Sequence, residues 1–141
     1  MKKVLSLVLA VVMVMSLFAI SAAAEADTSK VKVGFIFLHD ENSTYDLNFM
    51  NAAKEACETL GVESVFKTNI PEEDNSCYEA AADLADAGCD IVFADSFGHE
   101  DYVIEAAKEF PDVQFCHATG TKAHTEGLAN YHNAFASIYE G

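Results

Sequence analysis

Ser96 is the residue of this sequence whose type and position offer the most chemistry. It stands in Asp95-Ser96-Phe97-Gly98-His99, after the apolar run Ile91-Val92-Phe93 and before Glu100 and Asp101, which open a helical pattern. A serine at a strand-to-helix turn is placed like a nucleophile elbow, but Ala94 stands where the elbow needs glycine, two residues before the serine. A buried strand ending in a small polar turn at a helix N-terminus is also where open α/β sheets bind ligands. A third chemistry is metal binding: His39, His99 and His117, with Asp40 and Asp95 nearby, have the right side chains. They show no HxH or HExxH spacing, and histidines at strand ends commonly hydrogen-bond backbone. Neither GxGxxG nor GxxxxGK[ST] occurs. No cofactor and no metal are therefore expected.

The elements that would position these residues follow from periodicity and punctuation. Val31 to Leu38 (VKVGFIFL) reads as a strand apolar enough to be buried on both faces. The polar turn His39 to Thr44 follows, with Asp46 or a neighbour able to cap a helix carrying Leu47, Met50, Ala53, Cys57 and Leu60 at helical spacing, ended by Gly61. Val62 to Lys67 reads as a second strand, Thr68 to Ser76 as a loop, and Tyr78 to Ala85 as an alanine-rich helix ended by Gly88. Asp90 to Ala94 is a third strand, Tyr102 to Phe110 a helix stopped by Pro111, and Val113 to His117 a fourth strand. A polar loop from Ala118 to Gly127, a short strand from Leu128 to His132 and a helix from Ala134 to Tyr139 complete the pattern. Strand and helix alternate at spacings that suit right-handed crossovers, which predicts one α/β domain built on a doubly wound, mostly parallel sheet.

Met1-Lys2-Lys3, an apolar run from Val4 to Ile20 broken only by Ser6 and Ser16, and the small residues Ala22-Ala23-Ala24 read as a cleaved signal peptide over residues 1–24. No cysteine stands near the cut, the first being Cys57, so no lipobox is seen and the mature domain, residues 25–141, is expected to be exported in soluble form. The leader holds two lysines and no acid, so its removal takes the net charge from −15 to about −17. All eight basic residues are lysines. Nucleic acid and anionic membrane surfaces are poor partners for such a chain, and without arginine there is no bidentate fork for a phosphate. Cys57, Cys77, Cys89 and Cys116 form no CxxC pair. Export permits disulfides among them, while the apolar settings of Cys57 and Cys116 suit small buried thiols.

In a parallel sheet all strand C-termini open on one edge. The loops gathered there would be His39 to Thr44, Asp95 to Glu100, His117 to Gly120 and Asn130 to Asn133, with Thr68 to Asn75 beside them. Their Ser, Thr, Asn, Asp, Tyr and Phe content makes a hydrogen-bonding and stacking surface for a neutral polar molecule with a ring or sugar. Ser96 and Thr119 can donate to ring nitrogens or hydroxyls of such a ligand, and Phe97 or Tyr45 can stack on it.

Several stretches together resemble the basic membrane protein, or PnrA-like, family of ABC transporter substrate-binding proteins. The likeness runs from Lys32 to Leu38 with Ser43-Thr44-Tyr45, through Asp95-Ser96-Phe97-Gly98 and AAKEFPDVQFCHATG (residues 106–120), to Asn130-Tyr131 and Ser137-Ile138-Tyr139-Glu140-Gly141. The resemblance implies a lobe of the type I periplasmic-binding-protein fold, non-catalytic, holding a small-molecule ligand such as a purine nucleoside and handing it to ABC permease subunits. It implies ligand contacts at Ser43, Thr44, Tyr45, Ser96, Phe97, Thr119 and Gly120. Many relatives carry Gly-Trp before the Thr-Tyr pair where this chain has Asn42-Ser43, so one stacking platform is missing. Family members are more than twice as long, so the resemblance leads us to expect that residues 25–141 are a truncated N-terminal lobe lacking its second lobe. An exported sensory module of the same fold is the alternative function, and an exported hydrolase using Ser96 a third.

Overall fold

The computed structural model describes residues 28–134. The expected signal peptide, and the expected last helix beyond Ala134, lie outside the described residues. Five strands, β1 (Lys32–Ile36), β2 (Glu63–Lys67), β3 (Ile91–Ala94), β4 (Gln114–His117) and β5 (Tyr131–Asn133), form one sheet in the order β2-β1-β3-β4-β5. Every pairing is parallel. The helices are α1 (Thr44–Leu60), α2 (Ser76–Asp86), α3 (Glu100–Glu109) and the single turn α4 (Ala123–Glu126). This is the α/β, doubly wound, parallel architecture that the alternation of strand and helix predicts.

The two faces of the sheet are filled differently. On one face Ile36, Val92, Ala94, Phe115 and Tyr131 pack against Cys77, Ala81 and Leu84 of α2 and Val103, Ala106 and Ala107 of α3, all nearly free of solvent contact. The alanines of α2 and α3 let both helices lie close to the strands, and each buried large side chain there contributes about 1.5–3 kcal/mol. The other face carries a register-matched aromatic row. Phe35 stacks between Phe66 (ring centroids 5.1 Å) and Phe93 (5.5 Å), which are its ladder partners on β2 and β1's other neighbour β3.

Helix α1 covers only part of that row, burying Met50, Ala53 and Cys57 and placing Lys54 Nζ 5.6 Å above the Phe66 ring. Over β3 and β4, Ile91, Phe93 and Cys116 remain half-buried. The expectation that residues 31–38 are buried on both faces thus holds for Val33, Ile36 and Phe37 but not for Val31, Phe35 and Leu38, which are half-buried. A groove of about 450 Å³ runs along this side between Phe49 of α1 and Phe93, with Asp95 at its end. Among the described residues no helix is long and apolar enough to cross a membrane.

Two elements differ from the sequence reading. The loop after β4 contains α4, and β5 starts only at Tyr131 because Ala129 and Asn130 still turn. Asn130 is buried, and its side-chain amide donates to the carbonyls of Ala107 (2.9 Å), Phe110 (3.1 Å) and Val113 (2.9 Å). It therefore ties the end of α3 to β5 at the N-terminal edge of the sheet, opposite the edge where ligand contacts were expected.

Candidate functional site

The strand C-termini at Ile36, Lys67, Ala94, His117 and Asn133 open on one edge, and the loops beyond them build the site. The first loop is organised around Asp46, a buried carboxylate in the opening turn of α1. Ser43 caps α1 by accepting the Asp46 N–H, and its own hydroxyl donates to the Asp46 carboxylate. The backbone N–H of His39 donates to Asp46 Oδ1 at 3.1 Å, and His39 Nδ1 lies 3.1 Å from Oδ2. Burial opposes ionisation of Asp46, but the hydrogen bonds from Ser43 and His39 outweigh it and hold the carboxyl below its ordinary value. A polar recess of about 420 Å³ lies between this loop and Asn69, bordered by His39, Asp40, Asn42 and Ser43. Thr44 and Tyr45 are exposed, and Tyr45 O–H reaches the Asp95 carbonyl at 3.3 Å. That contact brings the first loop to the end of β3.

Asp95 is 3% exposed, and its carboxyl faces the Asp46 carboxylate and the Leu38 backbone without a well-formed hydrogen bond to either. Burial, and then the neighbouring Asp46 carboxylate, push it up to about 7. Next to it Ser96 is buried, with its hydroxyl donating to Glu72 Oε1. Phe97 is 69% exposed and stands open at the edge.

The histidines serve the scaffold. His117 Nε2–H donates to the Ser96 carbonyl at 2.7 Å, while its Nδ1 accepts the Thr119 N–H at 3.2 Å. One neutral ring, held below its ordinary value by burial, thereby rivets the β3–α3 turn to the loop after β4. His99 Nε2–H donates to the Ile70 carbonyl at 2.9 Å, fixing the β2–α2 loop in the same way. Among the described residues no three His, Cys, Asp or Glu side chains gather to hold a metal ion. His117 also turns to the carbonyl of Ser96 and not to its hydroxyl, so the serine is not paired with a histidine base.

Glu100, the first residue of α3, is buried, and its Oε1 is the hub of the remaining loop. It accepts from the N–H groups of Thr121 (2.6 Å) and Lys122 (2.8 Å), from Tyr131 O–H (2.9 Å) and, longer, from the Asn133 amide (3.4 Å). Gly120 lies against this hub: a Cβ there would stand 2.6 Å from Glu100 Oε1 and 2.8 Å from Tyr131 OH. Thr119 Oγ1 is buried without a partner.

The fold thus brings Ser43, Thr44, Tyr45, Ser96, Phe97, Thr119 and Gly120 to one edge, but in different states. Tyr45 and Phe97 present open rings, Ser43 and Ser96 have donated their hydroxyl protons to carboxylates, and Gly120 is a packing position. Sequence reasoning missed the acidic side chains that organise the edge: Asp46 as anchor, Glu72, and Glu100. The glycines at 98 and 120 were the readable trace of two of them, since each has a glutamate where its side chain would be.

Comparison with known proteins gives a consistent family pattern. The family model described as ABC transporter substrate-binding protein, PnrA-like, matches residues 31–140. A purine-binding protein of Brucella abortus (strain 2308) is 38% identical over 129 residues, an alignment that covers 88% of this chain and 35% of that protein. The chain therefore spans about a third of the length of this relative. Among solved structures, an ABC transporter system solute-binding protein from Conexibacter woesei DSM 14684 superposes with a TM-score of 0.64 at 19% identity, over 73% of this chain and 34% of that one. A LacI-family transcription regulation repressor from Corynebacterium glutamicum gives 0.61 at 16% identity, over 77% and 44%. At these identities the two structures speak for the fold alone.

Proposed function

Because this chain belongs to the PnrA-like family of ABC transporter substrate-binding proteins, we propose that its strand C-terminal edge is one wall of a binding site for a purine base or nucleoside. The observation that carries this reading is a pair of exposed rings, Tyr45 and Phe97, on neighbouring loops that the Tyr45–Asp95 hydrogen bond holds together. Open aromatic rings at a polar edge suit a flat heterocycle, each stack adding about 0.5–1.5 kcal/mol beyond area burial. The unpartnered Asp95 carboxyl and Thr119 hydroxyl are polar groups that a ligand's N–H or O–H groups can satisfy. The named activity of the Brucella relative supports the purine class.

In this reading the protein is non-catalytic and exported, as the leader-like residues 1–24 suggest, and it delivers its ligand to ABC permease subunits. The contacts are Ser43, Thr44, Tyr45, Ser96, Phe97, Thr119 and Gly120. Since the chain matches about a third of the relative, a second lobe supplies the opposing wall, and residues 25–141 alone leave the ligand wet on one side.

Amide-resolved NMR titration of residues 25–141 with adenine, adenosine, guanosine and inosine tests this. Shifts are expected at Tyr45, Ser96, Phe97 and Thr119, with a dissociation constant on the order of 1 mM. Tyr45→Ala and Phe97→Ala are each expected to weaken binding several-fold. Sub-micromolar affinity of this segment would overturn the single-wall reading, and the absence of shifts for all four ligands would overturn the ligand class.

A further inference from the structure

Glu72 belongs to the β2–α2 loop, yet its carboxylate sits in the β3–α3 turn. Its Oε1 accepts the Ser96 hydroxyl and, at 2.7 Å, the Gly98 N–H. It fills the space beside residue 98 so fully that a Cβ there would lie 2.6 Å from Glu72 Cδ. A free backbone N–H and a serine hydroxyl at a strand-to-helix turn are the donors that ordinarily hold a ligand's phosphate. Here an internal carboxylate holds them. The Ser96 and Gly98 hydrogen bonds keep Glu72 below its ordinary value, so it is ionised at neutral pH.

Two consequences follow for any molecule that reaches this edge. The donors that would greet an anion are taken, and a negative charge stands in their place, in a chain with no arginine to offset it. Ser96 has also given its one proton to Glu72, so its oxygen offers only lone pairs to a newcomer. We propose that Glu72 is a specificity-determining residue, an internal anion that bars phosphorylated ligands from the β3–α3 turn and leaves Ser96 able to meet only N–H or O–H donors of an uncharged ligand. This rests on the reading that the edge is the ligand site, and it narrows that reading to bases and nucleosides as against nucleotides.

The test compares the full chain with Glu72→Gln, which keeps the shape and an acceptor oxygen, and with Glu72→Ala, which empties the place. The probes are inorganic phosphate, adenosine and adenosine monophosphate, followed at the Gly98 and Ser96 amides by NMR. In the parent chain, phosphate at about 20 mM is expected to leave both amides unmoved. In Glu72→Ala it is expected to shift Gly98 saturably, and in both variants the preference for adenosine over its monophosphate is expected to fall about tenfold. Phosphate shifting Gly98 equally in all three proteins, or in none, would overturn the assignment. So would an unchanged preference between the two ligands wherever both bind. If adenosine moves nothing in any of the three while phosphate behaves as expected, the nucleoside reading fails and the role of Glu72 stands.

Discussion

Replacing Glu100 with alanine is expected to lower stability by about 4 kcal/mol, the largest single loss foreseen at this edge. The carboxylate is 4% exposed, and its Oε1 serves two backbone N–H groups and the Tyr131 hydroxyl within 2.9 Å. Alanine removes the acceptor and leaves those donors without their partner, at roughly 1–3 kcal/mol for each donor that water cannot reach. Glu100→Gln keeps an oxygen in place and is expected to lose about 1–2 kcal/mol, the charge-assisted share of the bonds.

The pH dependence gives the sign independently. Burial alone would raise Glu100, but the Lys122 N–H, the Tyr131 hydroxyl and the Thr121 N–H more than offset it, so the folded value lies below the ordinary 4.5. Its contribution is therefore complete above about pH 4.5 and disappears as pH falls through the folded value. Urea unfolding of parent and Glu100→Ala at pH 7 and pH 3 should show a wide gap that narrows in acid. A gap under about 1 kcal/mol at pH 7 would mean that the hub is not formed.

Asp95→Asn should move stability the other way. Asp95 is raised from 3.8 to about 7 by burial first and the Asp46 carboxylate second. A raised carboxyl favours the folded state below the unfolded value and loses that advantage as pH climbs to the folded one. Each unit between them corresponds to about 1.4 kcal/mol. Asparagine does not ionise, so the variant is expected to be more stable than the parent by up to about 4 kcal/mol at pH 8, with the advantage shrinking steadily towards pH 4. Parallel stability profiles for the two proteins would rule out the raised carboxyl. The same substitution should weaken binding of a donor-bearing ligand. In that case a strained polar group has been kept for function at a cost in stability.

The fold was legible because its punctuation is local. Gly61 ends α1 in the left-handed conformation (φ 67°), Pro111 follows α3, and the apolar runs are short and regularly spaced. The four-residue helix Ala123–Glu126 escaped notice because a single turn has no periodicity to read. The late start of β5 escaped because Asn130 looks like any strand-flanking polar residue until three carbonyls converge on its amide. The gathering of residues 43–45, 95–97 and 119–120 on one edge was legible too, since parallel strands must share one. What each group does there was not legible. Glu72 and Glu100 read as solvated charges, which most glutamates are, and only the tertiary approach of their carboxylates to Gly98 and Gly120 makes them structural. The histidines likewise carry no local mark that separates a rivet from a metal ligand.

Cys116 turns the half-covered aromatic face into a place for an optical reporter. Cys57, Cys77 and Cys89 are buried, with Cys77 pushed up to about 12 by burial, whereas Cys116, also raised by burial, is only half-buried on that face opposite Phe93 in the ladder. A maleimide dye offered in limiting amount should therefore report from one thiol. That thiol is the backbone neighbour of His117, whose ring joins the two loops of the proposed site, so a ligand arriving there is expected to change the emission without any new cysteine being introduced.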